Sequence, residues 1–261
     1  MDNIQQITYP DLIWTFLLVL FLGIISFVEN LKFERDLAIG VVRTVLQLSL
    51  MGFFLKFVFD LNIVWIILLL MIVMLSIAVR TAHGRLKRRM PEFQILIGIS
   101  LGIGAIITTF FVIRLTINAD PWWTPKYLIP LFGMILGNGM NGVALAGERL
   151  QSELSHRKLE IETLLAFGYS SHDASRQVRR DAMRAGLIPV INSMMVVGLV
   201  ALPGLMTGQI ISGVDPRQAV LYQIMVMFMI AGSSGIASWI LVRLMLRRYF
   251  STAHQLKYWL L

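Results

Sequence analysis

The sequence predicts an all-α integral membrane protein with about seven transmembrane helices. Three observations predict it. Hydrophobic residues make up 57% of the 261. Only 15% are charged, where soluble chains average about 25%. The Lys and Arg residues sit in short segments between long apolar runs, as the loops of a membrane protein do.

A bilayer core about 30 Å thick needs about 20 apolar residues of helix to cross it. Seven runs qualify: Leu12–Val28, Leu37–Phe59, Ile63–Val79, Phe93–Ile113, Leu128–Ala146, Leu187–Ile211 and Ala219–Leu246. The first has Asp2 and Asp11 ahead of it and no Lys or Arg before Lys32. It therefore lacks the basic flank of a cleavable signal and is expected to stay in the membrane. The second places Arg43 and Gln47 one turn apart on a face. Arg43 either snorkels and pairs or meets an anionic solute. Between the fourth and fifth runs, Trp122, Trp123 and Tyr127 read as interfacial anchors.

Charge sets the orientation. Lys32 and Arg35, the turn 80–90, the segment Glu148–Gly186 and the carboxy-terminal Arg243, Arg247, Arg248 and Lys257 hold 18 of the 23 basic residues. With seven crossings these regions share one side, which the positive-inside rule makes cytoplasmic. The amino terminus then lies outside and the carboxy terminus in the cytoplasm of a multi-pass plasma-membrane protein, the inner membrane in a Gram-negative source. The net charge of +8 is used up in this topology and forms no continuous stripe, so nucleic acid is not an expected partner. With no Cys in the chain, disulfides and thiolate chemistry are excluded.

The chain reads as one permease domain, 1–261, with a cytoplasmic helical coupling segment at about 148–186. That segment is too charged to span. A helix over Glu148–Phe167 should end at Gly168, Ser170 and Asp173 have capping-box spacing, and a second helix should run to Ala185. Gly186 and Pro189 permit a kink into the sixth span. Such a helix–turn–helix is either a handle for a partner or packing against its own bundle and the headgroups.

Polar groups inside the spans are the candidate path. In the fifth, Asn138 and Asn141 share a face, and Gly133 and Gly137 have a close-packing spacing. The asparagines either line a solute route or clamp helix to helix. In the sixth, Asn192 and Ser193 lie near the start, Pro203 interrupts the hydrogen-bond ladder, Gly204 and Gly208 repeat the small spacing, and Gln209 follows. Broken helices expose backbone carbonyls to substrates, and they also occur as ordinary bends. The Met residues of the last two spans suit soft ions, or simply fill a core. Histidines 83, 156, 172 and 254 form no spaced ligand set, so metal ligands stay unknown. There is no Walker loop, no H-E-x-x-H and no G-x-S-x-G. The chain is not expected to be an enzyme. A scaffold or regulatory membrane subunit is the competing class, and a channel is disfavoured by the lack of a charged ring.

The strings PLFGMILGNGMN, NSMMVVGLVALPGLMTGQI and DPRQAVLYQIMVMFM resemble the uncharacterised-protein family UPF0014, and the likeness covers essentially the whole chain. The resemblance implies the membrane permease of an ABC transporter. It implies a homodimer joined by a separate FetA-like ABC ATPase, with ATP and Mg bound on that partner and no cofactor on this chain. Iron export is the implied activity of bacterial members and UDP-glucose movement that of a plant complex. Glu162–Gly168 resembles the EAA-type coupling loop in its Glu-to-Gly spacing, with Thr163 and Leu164 in place of two alanines. Glu162, Leu165, Phe167 and Gly168 are thereby the ATPase-coupling candidates.

Overall fold

The computed structural model describes Thr8, residues 10–251, 253–257 and Leu260; Asp2 lies outside them. The chain forms two compact units, the first ending at Leu61 and the second beginning at Asn62.

The first unit is a helical hairpin of α1 (Asp11–Val28) and α2 (Glu34–Leu61). Both helices are predominantly apolar, α2 carrying Arg43, Gln47 and Lys56 within its run, and most of their side chains are exposed. That suits lipid, which solvates hydrocarbon as well as protein does. The turn between them needs left-handed backbone, supplied at Asn30 and Lys32. The Ser26 hydroxyl donates to Glu34 Oε1 at 2.7 Å and closes it.

The second unit holds α3 (Val64–Gly84), α4 (Pro91–Phe111), α5 (Pro125–His156), α6 (Lys158–Ala166), α7 (Ser171–Ala174), α8 (Arg176–Val196), α9 (Gly204–Ile211) and α10 (Pro216–Tyr249). A π-helical turn, Val112–Ile117, extends α4. Trp122 and Trp123 follow it, edge to face at 5.7 Å. Pro at the first turn of α4, α5 and α10 costs nothing, because those N–H groups have no helical partner. Asp215 Oδ1 caps α10 by accepting from the N–H of Arg217 at 2.9 Å.

The core is α5, α8 and α10, with α4 and α3 packed beside them. Small residues let the three backbones meet. A Cβ on Gly186 of α8 would lie 2.7 Å from the Gly142 carbonyl oxygen of α5 and 3.1 Å from Ser238 Oγ of α10. A Cβ on Gly104 of α4 would lie 3.1 Å from the Ser233 carbonyl oxygen of α10. The close approach that Gly133–Gly137 and Gly204–Gly208 suggested is realised elsewhere. An added Cβ at Gly137, Gly204 or Gly208 would meet nothing within 4 Å, and at Gly133 it would meet only the flexible Met74 tip.

Three basic regions converge at one end of this unit. Gln151 of α5 exchanges two 3.1 Å hydrogen bonds with the backbone of Arg88, in the α3–α4 turn. Phe93 stacks against Tyr249 at 5.7 Å, and Arg248 pairs with Glu92 at 3.5 Å. The turn 80–90, the end of α5 and the end of α10 are thus neighbours, as the charge pattern required of a common side.

Two details differ from the sequence reading. Among the described residues six helices, not seven, are long and apolar enough to cross a bilayer. The missing one is Leu187–Ile211. Its ladder does break, but over all of 197–203 rather than at a single proline. Gly198, at φ +84°, turns the chain back, and the Val196 carbonyl accepts from the N–H groups of Leu199, Val200 and Ala201. Pro203 then sits ahead of α9 as its N-cap. The second difference concerns the helix bounds in the polar segment. No boundary falls at Glu148 or near Ala185. α5 continues to His156, and α8 runs unbroken through Gly186 and Pro189.

Candidate functional site: a helical handle and a broken span

The handle begins where α5 ends. Arg157 interrupts the helix and ties three elements together. Its guanidinium meets Glu153 of α5 at 2.7 Å, Glu160 of α6 at 3.5 Å and Asp181 of α8 at 3.4 Å. The bond to Glu153 raises the affinity of Arg157 for its proton, with Glu160 and Asp181 adding to it against partial desolvation.

α6 stops at Gly168, whose φ of +86° only glycine adopts without strain. The N–H groups of Gly168 and Tyr169 satisfy the Leu165 and Leu164 carbonyls, which closes the helix end. Ser170 then caps α7, its hydroxyl 3.2 Å from the Asp173 N–H and 2.5 Å from Asp173 Oδ2. The Ser170 hydroxyl, and after it His172, hold the Asp173 carboxyl below the usual carboxylate range. The helix end expected at Gly168 and the cap expected at Ser170 and Asp173 together form an elbow, and it projects apolar tips: Phe167 is 77% exposed and Tyr169 54%.

The four coupling candidates divide here. Phe167 and Gly168 are exposed at the tip. Glu162 and Leu165 are half-buried and face the carboxy-terminal segment across a cavity of about 580 Å³ bordered by His254 and Lys257. Glu162 Oε1 is buried there without a hydrogen-bond partner. The carboxy-terminal segment is fastened to the elbow, since Ser171 donates from its N–H to His254 Nδ1 at 3.2 Å. Leu159, also 77% exposed, belongs to the mixed apolar face that the sequence gives the first cytoplasmic helix together with Glu162, Leu165, Ala166 and Phe167.

Contacts fix the direction of α8. Gly186 faces Ser238 while Gly235, earlier in α10, faces Leu187, so α8 runs antiparallel to α10. Gly142 faces Ser238 and Gly147, later in α5, faces Leu241, so α5 runs parallel to α10. α8 therefore leads away from the basic end, and the break at 197–203 follows its last turn.

The path candidates lie around this arrangement. Asn192 and Ser193 are exposed on that last turn, and the Ser193 carbonyl accepts from Val197 N–H at 3.1 Å. From the Gly142–Gly186 contact, a rise of about 1.5 Å per residue sets Asn138 roughly level with Val190, about two turns before the break. Asn138 is exposed and donates to its own helix at Met134 O, 2.9 Å. Asn141 accepts from Arg85 at 2.5 Å, which draws it toward the basic end. Gln209 on α9 is half-buried, its Oε1 without a partner. Arg43 and Gln47 are exposed on α2 of the first unit. Within the break, Leu199 is 90% and Val200 85% exposed. Among the described residues no group of three or more His, Asp or Glu is placed to hold a metal ion.

Comparison with known proteins is consistent in kind. Residues 9–250 match the family described as Uncharacterised protein family (UPF0014). A UPF0014 membrane protein of Synechocystis is 42% identical over 82% of this chain and 83% of its own length. Protein ALUMINUM SENSITIVE 3 of Arabidopsis thaliana is 37% identical over 92% and 86%. The Escherichia coli protein named "Probable iron export permease protein FetB" is 34% identical over 97% and 96%. No solved structure matches the chain.

Proposed function

The chain belongs to the UPF0014 family of multi-pass membrane proteins, and we propose that it is the permease subunit of an ABC transporter. One observation carries this reading. A single helix, α8, joins the exposed elbow to the break in the spanning segment. Its 21 residues extend about 30 Å. Its close packing on α5 and α10 at Gly186 supports movement of α8 as one rigid element. Displacing the elbow therefore displaces the broken backbone, where a solute would be bound and released.

The chain supplies no energy source. A partner ATPase that binds the apolar elbow tips of two copies draws the handles together on binding ATP and releases them after hydrolysis. Non-helical backbone at membrane depth persists only when protein or a water-filled cavity covers it. The exposure of Leu199 and Val200 supports a second copy of this chain as that cover. Asn192, on the last turns of α8 before the break, and Asn138, about a further turn back along α5, would replace hydration of the solute, and no step forms or breaks a covalent bond.

Export of iron is the substrate reading, supported by the name of the E. coli relative over almost the full length of both chains. Proteoliposomes containing the chain and its ATPase are loaded with radiolabelled iron or with UDP-glucose. ATP-dependent movement of iron is the expected result. Movement of UDP-glucose alone would replace the substrate. ATP hydrolysis unchanged by either solute, with neither moved, would leave a scaffold and end the permease reading.

A further inference from the structure

A second cavity, of about 1030 Å³, lies between the handle and the end of α10. Five arginines line it: Arg176, Arg179 and Arg180 from α8, and Arg243 and Arg247 from α10. Its acids are Glu160 and Asp173. Glu160 is paired with Arg157 at 3.5 Å, and Asp173, bonded to Ser170, offsets Arg179 only in part, so two carboxylates face five guanidiniums. Among the described residues none of the five arginines has a carboxylate within 4.0 Å, the reach of an ion pair.

Two of the arginines, Arg179 and Arg243, are held rather than splayed. Arg179 turns its fork onto His172, donating to the His172 carbonyl at 2.9 Å and meeting the ring through its other nitrogen. Its Nε is buried with no partner. Burial lowers the affinity of Arg179 for its proton; Asp173 opposes this, and Arg243 and Arg176 add to it, so the guanidiniums are close enough to repel. Arg243 lies over the Trp239 ring, 5.5 Å from its centroid. Clustered cations without an anion cost free energy that a bound polyanion removes. Planar forks match the oxygens of a phosphate better than those of any monatomic ion.

We propose that this cleft is a binding site for a phosphate group, gripped by Arg176, Arg179, Arg180, Arg243 and Arg247. The phosphate has two possible sources, an anionic lipid headgroup or a soluble phosphate. Trp239, 53% exposed one turn before Arg243, has the amphipathic ring of an interfacial residue and favours the lipid. Basic pockets between helices at the cytoplasmic leaflet hold headgroups in this way. An occupant here touches both the handle and α10, so it would set how freely the handle moves. The site does not depend on the permease assignment.

The test uses the full chain in detergent and two probes. Native mass spectrometry counts bound phosphatidylglycerol against phosphatidylcholine. Thermal melting follows added inorganic pyrophosphate. The variants are Arg176→Gln with Arg243→Gln, and Arg217→Gln at the opposite end of α10 as control; unshifted melting without ligand shows that each is folded. Preferential phosphatidylglycerol binding, weakened about tenfold in the double variant and unchanged in the control, supports the site with lipid as its source. Stabilisation by pyrophosphate lost in the same variant supports it with a soluble source. If the folded double variant binds both probes as the wild type does, the proposal is wrong. Loss of ATPase binding without loss of either probe would assign these arginines to protein docking and would equally overturn it.

Discussion

Gly186 is where the handle helix touches the bundle, and its lack of a side chain has a measurable consequence. Gly186→Ala gains about 1 kcal/mol in helix propensity. It also places a methyl 2.7 Å from the Gly142 carbonyl oxygen and 3.0 Å from Ala146 Cβ, and overpacking of that kind costs about 1–3 kcal/mol. The expected sum is a destabilisation of up to about 2 kcal/mol, seen as a lower melting temperature in detergent. Gly232→Ala on α10, where nothing lies within 4 Å, should be neutral or stabilising. Equal effects at the two positions would refute the contact. Sequence had pointed to Gly133 and Gly137 for close packing, because a regular spacing is visible in a string. The Gly142–Gly186 pair joins residues far apart in the chain, and nothing local to either marks it. A second prediction concerns Asp173. Its folded carboxyl is held below its unfolded value, so its contribution to the elbow is complete above the unfolded pKa, about 3.9, and is lost as pH falls through the folded value. Amide exchange at Asp173 and Ala174, corrected for intrinsic rate, should stay constant from pH 7 to about 5 and rise below about 4. Asp173→Asn should remove that dependence; a dependence that survives the substitution belongs to another group.

At the scale of the element, the handle was legible in its ends and illegible in its joints. Gly168 requires left-handed backbone and Ser170 with Asp173 is a local cap, so the elbow could be placed from neighbours in sequence. The joints depend on distant partners. Glu148 looked like a start because the charge changes there, yet α5 continues because Leu150 and Leu154 remain buried and Gln151 holds Arg88. Gly186 and Pro189 looked like breakers, yet α8 continues because packing on Gly142 and Ser238 outweighs local propensity. The span 187–211 shows the opposite error. Pro203 announced a fault, but Gly198 and the turn it allows widened the fault into an irregular link. The elbow face makes the matching prediction. Phe167→Asp puts a charge at the exposed tip without disturbing any buried contact. It should weaken co-purification of the ATPase by about tenfold, as loss of an aromatic hot spot does, and leave insertion and melting unchanged. Undiminished ATPase binding by Phe167→Asp together with Leu159→Asp would show that the partner docks elsewhere.

At the scale of the whole molecule, the count of crossings decides which way the lever points. Among the described residues six helices are long and apolar enough to span by themselves, and α8 with α9 makes a seventh crossing only if the chain passes through at the break. Six true spans would leave α8 and α9 as a re-entrant pair. The two ends of α10 would then exchange sides relative to one terminus. The structure brings the basic turn 80–90, the end of α5 and the end of α10 together, which favours passage, because a re-entrant pair would return α10 to the basic side at its start. Chemistry makes this testable, since the chain has no cysteine of its own. Tyr169→Cys in the elbow and Ser212→Cys ahead of α10 each give one thiol at an exposed position. With an impermeant maleimide on intact cells, Ser212→Cys should be labelled and Tyr169→Cys should be protected until the membrane is opened. Labelling both from one side would make the pair re-entrant. Labelling the elbow from outside would turn the handle away from any cytosolic ATPase, and no rearrangement of the elbow itself could then restore the coupling.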